Sequence, residues 1–171
     1  MTRGELEQRF DRLLVSYGPS LARLAASYAR RASEQDDLFQ EVAFAIWRAL
    51  PGFRGECSER TFVFRIAHNR GISYLARRRT PVEAADDDGE LPDGRPNPEQ
   101  SLSANQEGER LARAVQGLPV GHRQVVTLAL EGLSYGEIAD VMGISESNVG
   151  ARLTRARQML RRLVTPNDTR S

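Results

Sequence analysis

The chain has 171 residues, 40% of them hydrophobic and 6% aromatic, with 24 basic side chains against 23 acidic ones and a formal net charge of +1. That length suits one ordinary domain or two small ones, and so low an aromatic content favours two modest helical cores over one large one. A single cysteine, Cys57, excludes an intrachain disulfide, and neither an N-terminal signal region nor an apolar run near the ~18 residues of a membrane span is present, so a cytoplasmic protein without membrane insertion is expected.

Leu6, Phe10, Leu13 and Leu14 recur at helical spacing and predict a first helix. Gly18-Pro19 should interrupt it, because proline has no N–H for the hydrogen-bond ladder. A second helical pattern runs from about Ser20 to Arg31. Ser33, followed three residues later by Asp36, fits a capping box and predicts a helix from Ser33 to Leu50 that Pro51-Gly52 closes. This helix is apolar nearly all the way round, through Leu38, Phe39, Val42, Phe44, Ala45, Ile46, Trp47 and Leu50. Its narrow polar edge is Asp37, Gln40, Glu41 and Arg48. Such a helix is either central to a bundle or carries a second apolar face for a protein partner, and the pattern alone leaves both open.

Phe53 to Glu59 reads as a loop. A further helix from about Glu59 to Arg79 has Phe62, Ile66, Ile72 and Leu75 on its apolar side and a basic end at Arg77, Arg78 and Arg79. Its polar side carries Arg65, His68, Asn69 and Arg70. Together with Phe53, Arg54, Arg60, Phe62 and Phe64, these residues combine cations with stacking surfaces, the mixture that single-stranded DNA requires. Phe62 fits a core position equally well.

Residues 80–106, TPVEAADDDGELPDGRPNPEQSLSANQ, hold four prolines, three consecutive aspartates and almost no large apolar side chains. Too little surface can be buried there to offset the ordering entropy, so a flexible acidic linker is expected. The charge follows the same division. Residues 1–79 carry 14 Arg against 9 acids, residues 80–109 one Arg against 9 acids, and residues 110–171 carry 9 Arg against 5 acids. Two basic blocks around an acidic connector are a common distribution in nucleic-acid-binding proteins. Every basic residue is Arg, so any basic face offers planar, bidentate ligands for phosphate and guanine.

Helical periodicity resumes at Leu111, Ala112, Val115 and Leu118. Pro119 breaks it, and Val125 to Leu130 form another helix that ends at Gly132. The stretch SYGEIADVMGISESNVGARLTRARQML, Ser134 to Leu160, then reads as a helix-turn-helix. Ile138, Ala139 and Met142 give its first helix an apolar face, Gly143 supplies a turn with positive φ, and Ser145 caps the second helix. Val149, Leu153, Ala156, Leu160 and Leu163 fall on one stripe of that helix. The opposite face carries Ser147, Ala151, Thr154, Arg155, Gln158 and Arg162, flanked by Arg152 and Arg157. Between Ser147 and Leu163 there are five arginines and no acid. Small side chains near the N-terminus and arginines beyond them suit a helix in the DNA major groove. A solvated basic helix of an ordinary bundle is the alternative. Gly150 costs the helix ~0.5–1 kcal/mol relative to Ala, which raises the question of what offsets it.

No catalytic machinery is visible. His68 and His122 are far apart in the chain, Cys57 has no second cysteine, no acid, base and nucleophile converge, and no glycine loop for phosphate occurs. The expectation is a chain with no metal, no cofactor and no enzymatic activity.

Together these segments resemble a sigma factor of the sigma-70 family, in the small extracytoplasmic-function (ECF) group. DDLFQEVAFAIWRALPGFRGE is similar to the region-two helix that docks on the clamp helices of the largest RNA polymerase subunit. ERTFVFRIAHNRGISYLARRR is similar to the segment that opens and reads the minus-10 element, and LPVGHRQVVTLALEGLSYGEIADVMGISESNVGARLTRARQML to region four, which reads the minus-35 element. The resemblance covers about residues 5–79 and 108–163. It implies an all-α chain: region two at 1–79, the acidic linker at 80–107, region four at 108–165 and a tail at 166–171. It also implies polymerase docking through Asp37, Gln40, Glu41, Phe44, Trp47 and Arg48, and minus-10 contacts from Phe53, Arg54, Arg60, Arg65, Asn69, Arg70 and Arg77. Minus-35 contacts would come from Ser147, Asn148, Gly150, Ala151, Arg152, Thr154, Arg155, Arg157 and Gln158.

The implied partners are core RNA polymerase (clamp helices, and the flap for region four), promoter DNA and an anti-sigma factor. The implied setting is the bacterial cytoplasm, with the linker threading polymerase near the RNA exit path. Family members often carry Lys or Arg followed by Ser where this chain has Gly150 and Ala151, Asp where it has Ser73, and Trp where it has Phe62. Two other classes remain to be weighed: a stand-alone helix-turn-helix regulator that binds operators as a dimer, and a protein-interaction module such as a polymerase-binding antagonist. The N-terminal block separates the first from a sigma factor and the arginine helix separates the second.

Overall fold

A computed structural model describes residues 1–78 and 104–164. Arg79, the predicted linker as far as residue 103, and residues 165–171 with the predicted tail lie outside the described residues. Those described form helices and turns, with no strand among them: α1 (Arg3–Tyr28), α2 (Ala32–Ala49), a 3-10 turn (Leu50–Gly52), α3 (Glu59–Arg78), α4 (Ala104–Gln116), α5 (Val120–Leu130), α6 (Tyr135–Met142) and α7 (Glu146–Val164).

Helices α1, α2 and α3 pack on one another, and α4 to α7 form a second group. The all-α architecture of two small helical domains is therefore as expected. The first group closes over Leu13, Leu21, Leu24, Leu38, Val42, Ile46, Leu50, Val63 and Phe64, all buried. The second closes over Leu118, Val125, Leu128, Ile138, Val149 and Leu153. The two groups also touch, α3 against α6 and α1 against α5.

Several boundaries differ from the pattern reading, each for a physical reason. Helix α1 is one 26-residue helix that runs through Gly18-Pro19 instead of breaking there. Pro19 cannot donate to the carbonyl of Val15, but Val15 is 81% exposed, so water can take that carbonyl. Gly18 has no Cβ to meet the proline ring, which removes much of the usual clash before proline. A Thr2–Glu5 capping box starts the helix, with the hydroxyl accepting from the Glu5 N–H and the carboxylate from the Thr2 N–H.

The Ser33–Asp36 capping box is not formed. The extended residue that a cap requires is Arg31, and Ser33 already lies inside α2. The amide of Gln35 ties the entry instead, donating to the Ala29 carbonyl at 2.9 Å. Helix α5 begins at Val120, five residues before the predicted start. Pro119 occupies its N-cap, where a missing N–H is not required. Arg123 and Gln124, polar but buried, form its second turn and hid the helix from an apolar pattern. Helix α4 begins at Ala104, ahead of Leu111 and of the boundary placed at residue 108.

One close approach fixes how α1 crosses α3. A Cβ on Gly71 would lie 2.5 Å from the ring of Tyr28, which is buried at the end of α1. A ring held on all sides cannot swing away, so the position demands glycine even though it sits mid-helix. Gly71→Ala is expected to destabilise the protein by about 1–3 kcal/mol through overpacking, despite the better helix propensity of alanine. Urea denaturation of the two proteins checks this; equal stability would mean that Tyr28 relaxes freely.

Candidate nucleic-acid interface

The helix-turn-helix is built as its residues dictate. Ser134 caps α6 in a second capping box, its hydroxyl accepting from the Glu137 N–H at 3.1 Å while the Glu137 carboxylate accepts from the Ser134 N–H. Gly143 closes the helix in the left-handed conformation, φ 69°. Ser145 then caps α7, accepting from the Asn148 N–H at 3.1 Å. Ile138 and Ala139 are buried and Met142 packs partly against them. On α7, Val149, Leu153 and Ala156 are buried and Leu160 is half-buried. Leu163, assigned to the same stripe, is instead 41% exposed because the bundle ends before it.

The outward face of α7 carries Ser147, Asn148, Ala151, Thr154, Arg155, Arg157 and Gln158, all exposed. Gly150 and Arg152 are half-buried. A Cβ on Gly150 would lie 3.6 Å from the Tyr135 ring, an ordinary contact, so packing leaves room for alanine. The Thr154 hydroxyl donates to the Gly150 carbonyl at 2.9 Å. On the other flank, Asn148, Ala151, Arg152 and Arg155 line a depression of about 450 Å³ shared with Pro119 to His122 at the start of α5. The Arg152 guanidinium lies over Gly121, 3.3 Å from where its Cβ would be. A helix N-terminus and two arginines make the potential there positive.

The α3 residues divide by helical phase. Asn69 and Arg70 are exposed, as is Arg54 in the preceding loop. Phe53 stacks on Phe62 at 4.3 Å between centroids, with the Arg9 guanidinium 5.2 Å over it. Arg77 pairs with Glu41 of α2 at 3.0 Å. Arg60 and Arg65 turn toward the second domain: Arg60 grips Glu137 with Nε at 2.9 Å and Nη2 at 2.7 Å, and Arg65 Nε donates to the Asp140 carbonyl at 3.3 Å. The Glu137 carboxyl, pushed up by partial burial, is nevertheless held below its ordinary range by the Arg60 and Ser134 hydrogen bonds.

On α2, Asp37, Gln40, Phe44 and Arg48 form one exposed stripe. Phe44 is 61% exposed, with the Arg48 guanidinium 5.8 Å over its ring. Trp47 turns inward, edge-on to Phe10 at 5.3 Å. An exposed aromatic ring in a polar frame is the kind of feature that a protein partner covers.

Two residues read with the exposed, DNA-facing set of α3, His68 and Phe64, are instead buried, because their helical phase turns them toward α1. His68 is buried on α3, its Nδ1 2.9 Å from the Tyr28 hydroxyl. Burial, and secondarily the Arg152 guanidinium of α7, lowers its pKa to about 4. His122 is shifted the same way, by burial and then by Arg152 and Arg155. Nothing in the spacing of two isolated histidines points to this; the signal is tertiary. No group of His, Cys, Asp and Glu that could hold a metal occurs among the described residues, and none of their helices is long and apolar enough to cross a membrane.

Comparison with known proteins places both halves. Residues 13–80 match the family described as "Sigma-70 region 2" and residues 108–160 that described as "Sigma-70, region 4". The chain is 32% identical over 167 residues to RNA polymerase sigma factor CnrH of Cupriavidus metallidurans, covering 92% of this chain and 87% of that protein. It is 31% identical over 170 residues to the ECF RNA polymerase sigma-E factor of Escherichia coli, covering 94% and 88%. Its fold is similar to that of CnrH in complex with the cytosolic domain of CnrY, with a TM-score of 0.67, 30% identity and coverage of 92% and 88%. The sigma factor RpoE of Bartonella quintana, solved with the anti-sigma factor NepR, shares the fold at a TM-score of 0.72, 23% identity and coverage of 94% and 99%.

The buried histidine makes a pH prediction with a definite sign. The unfolded chain protonates His68 near its ordinary value of 6.5, whereas the folded chain resists protonation down to about 4. Stability is therefore complete above pH 6.5 and falls as the pH drops through the window from 6.5 to 4, by up to about 3 kcal/mol. Urea denaturation at pH 7.5 and pH 5 should show the loss in the native protein. His68→Gln should reduce it over that window, leaving the part that His122, lowered in the same direction, contributes; an unchanged slope would remove His68 as a cause.

Proposed function

The chain belongs to the sigma-70 family, in its extracytoplasmic-function group, and we propose that its two domains divide promoter recognition as regions two and four do. As a sigma factor it serves promoter-specific transcription initiation. The observation that carries this reading is that both regions occur in one chain, in family order, over nearly the full length of ECF relatives. A stand-alone operator-binding regulator has no use for the α1–α3 block, and a pure antagonist has no use for an outward helix with five arginines.

In this reading the exposed α2 stripe of Asp37, Gln40, Phe44 and Arg48, with Glu41 and Trp47 beside it, docks on the clamp helices of core polymerase. Phe44 supplies the apolar contact and the polar edge its rim. Phe53, Arg54, Asn69 and Arg70 meet the minus-10 strand, joined by Arg60, Arg65 and Arg77. The stacked Phe53–Phe62 pair offers a base-stacking surface beside cations. Ser147, Asn148, Ala151, Thr154, Arg155 and Gln158 face the minus-35 major groove, with Gly150 at its edge and Arg152 and Arg157 toward the backbone. Region four also meets the polymerase flap. The chain contributes binding and no chemistry, requires no cofactor or metal, and works in the bacterial cytoplasm where polymerase and promoter meet. Complexes of related factors, one with an anti-sigma factor, support an anti-sigma protein as a further partner.

Run-off transcription with purified core polymerase on genomic DNA fragments tests the function: discrete start sites that depend on this chain are expected, and none would refute it. The double change Gln40→Arg, Glu41→Arg should weaken competition for core while the helical content is kept. Undiminished binding would move the docking surface elsewhere. On a mapped promoter, Arg155→Ala should cost ~1–3 kcal/mol and relax preference at one minus-35 position if Arg155 reads a base. A uniform loss with a shallower salt dependence would assign it to phosphate.

A further inference from the structure

We propose that the cleft between the start of α5 and the N-terminal half of α7 clasps a backbone phosphodiester of the minus-35 duplex, with His122 taking up a proton from solution. Promoter binding by this chain then tightens in mild acid. The proposal rests on the reading of α7 as the minus-35 helix, and deepens it.

The cleft, about 450 Å³, has room for a sugar–phosphate unit, and no acidic side chain lines it. Its cations are Arg152 and Arg155 on the α7 wall, with His122 on the α5 wall. Asn148, Ala151 and Arg155 belong both to this cleft and to the exposed outward face of α7, so the cleft opens at the edge of that face. A duplex whose major groove receives α7 therefore brings one of its bordering strands to the cleft mouth. Arg152 is half-buried and lies across Gly121, where a Cβ would be 3.3 Å from its Nη1. The missing side chain leaves the guanidinium room within the cleft.

His122 makes the cleft sensitive to protons. Its side chain is half-buried, and its Nε2 is buried without a partner among the described residues. A charged imidazole would place a proton there with no carboxylate or carbonyl to receive it, beside two guanidinium groups. Burial, then Arg152 and Arg155, accordingly hold its pKa below the ordinary value. Those two arginines are the charges that act on it; α1, α4 and α6, also packed on α5, contribute none to the shift. His68 of α3 also feels Arg152, but with a pKa of about 4 it stays neutral between pH 6 and pH 8. A phosphodiester brings a negative charge. Seated against the arginines, it offsets their repulsion of His122 and favours the protonated ring. The DNA-bound chain then holds more protons than the free chain. Linkage requires binding to strengthen as the pH falls through the interval between the free and bound pKa values.

A fluorescein-labelled promoter duplex with a mapped start site, titrated with holoenzyme at constant ionic strength from pH 8 to pH 6, tests the proposal. Polymerase has a pH dependence of its own, so the quantity read is the ratio of native to variant affinity at each pH. Against His122→Gln, whose side chain stays neutral, the native chain should gain about 2- to 5-fold between pH 8 and pH 6. His122→Arg, a fixed cation, should bind more tightly than His122→Gln at pH 8. Helical content checks that both variants fold. Arg152→Ala should weaken binding to all minus-35 sequences alike and reduce the salt slope by about one.

A native-to-glutamine ratio that does not change with pH, or equal binding by the glutamine and arginine variants, would overturn the proton uptake. Native affinity and salt slope in Arg152→Ala would overturn the phosphate clasp. The parent reading is judged separately, by swaps of the minus-35 sequence and by Arg155→Ala. If minus-35 preference depends on Arg155 while the cleft variants behave as the native chain, α7 stays in the groove and only the cleft is removed. Indifference of the holoenzyme to every minus-35 swap would remove the minus-35 reading, and the clasp with it.

Discussion

A tyrosine ring lies where α3 has no side chain, and much of the molecule is arranged around it. Tyr28 ends α1 with its ring against the backbone at Gly71 and its hydroxyl on His68 Nδ1. That contact sets how closely the two helices cross, and the α2 core closes against both. Burial keeps the phenol protonated and pushes the imidazole toward its neutral form. A neutral, hydrogen-bonded pair is what this place can tolerate, because Arg123 and Arg152 of the second domain lie close enough to perturb Tyr28 and His68 respectively. Burial also lowers the Arg123 pKa, with Arg30 adding to the effect. A charged histidine there would add another cation to a crowded, half-dry site. The tyrosine thus joins the packing of the first domain to the electrostatics of its contact with the second.

Charge is sorted between the two helices of the helix-turn-helix in a complementary way. Glu131, just before α6, and Glu137 within it turn toward Arg23 and Arg60 of the first domain. Helix α7 has five arginines and no acid between Ser147 and Leu163, and Arg155, Arg157, Arg161 and Arg162 among them are exposed. Inside the chain Glu131 and Glu137 pair with the first domain, while Arg155 and Arg157 of the next helix lie exposed toward solvent. With arginine as the only basic residue, the same planar fork suits internal carboxylates and external phosphates alike.

Local chemistry was legible in the sequence and tertiary relations were not. The helix-turn-helix could be read because its punctuation is local: Gly143 needs positive φ, Ser145 needs an extended backbone, and the Val149–Leu153–Ala156 stripe has one period. Pro19 was misread because its cost depends on whether the Val15 carbonyl reaches water, a property of the fold. Ser33 was misread because a serine with an acid three residues on meets the local capping pattern, while the chain turns into α2 two residues earlier, at Arg31, without any side-chain cap. Helix α5 was shortened because Arg123 and Gln124 are polar residues buried at a domain contact, which no apolar period can find. The α2 pattern left open whether its second face was core or surface. The answer is divided, with Trp47 turned to Phe10 and Phe44 left bare. The separation of Arg60 and Arg65 from Asn69 and Arg70 had no sequence signal, since it depends on a domain some 75 residues away in the chain.

Gly150 can be understood by asking what its missing side chain would touch. Inside the molecule the answer is little: a Cβ would rest at ordinary distance from Tyr135, itself 43% exposed and free to move. Packing therefore does not require glycine, in contrast to Gly71. The outward direction is more informative. Ser147, Gly150, Ala151 and Thr154 follow one another at helical spacing, so the first turns of α7 present a smooth, low face. Arg155, Arg157 and Gln158 come after it, where longer side chains reach outward. The Thr154 hydroxyl, bonded to the Gly150 carbonyl, keeps even that residue close to the helix surface. A helix that is narrow at its N-terminal end and cationic beyond it can enter a groove tip first and grip the walls afterwards. On that account the helix gives up ~0.5–1 kcal/mol of propensity at position 150 in favour of backbone approach, and base selectivity must come from the few side chains long enough to reach past the smooth face.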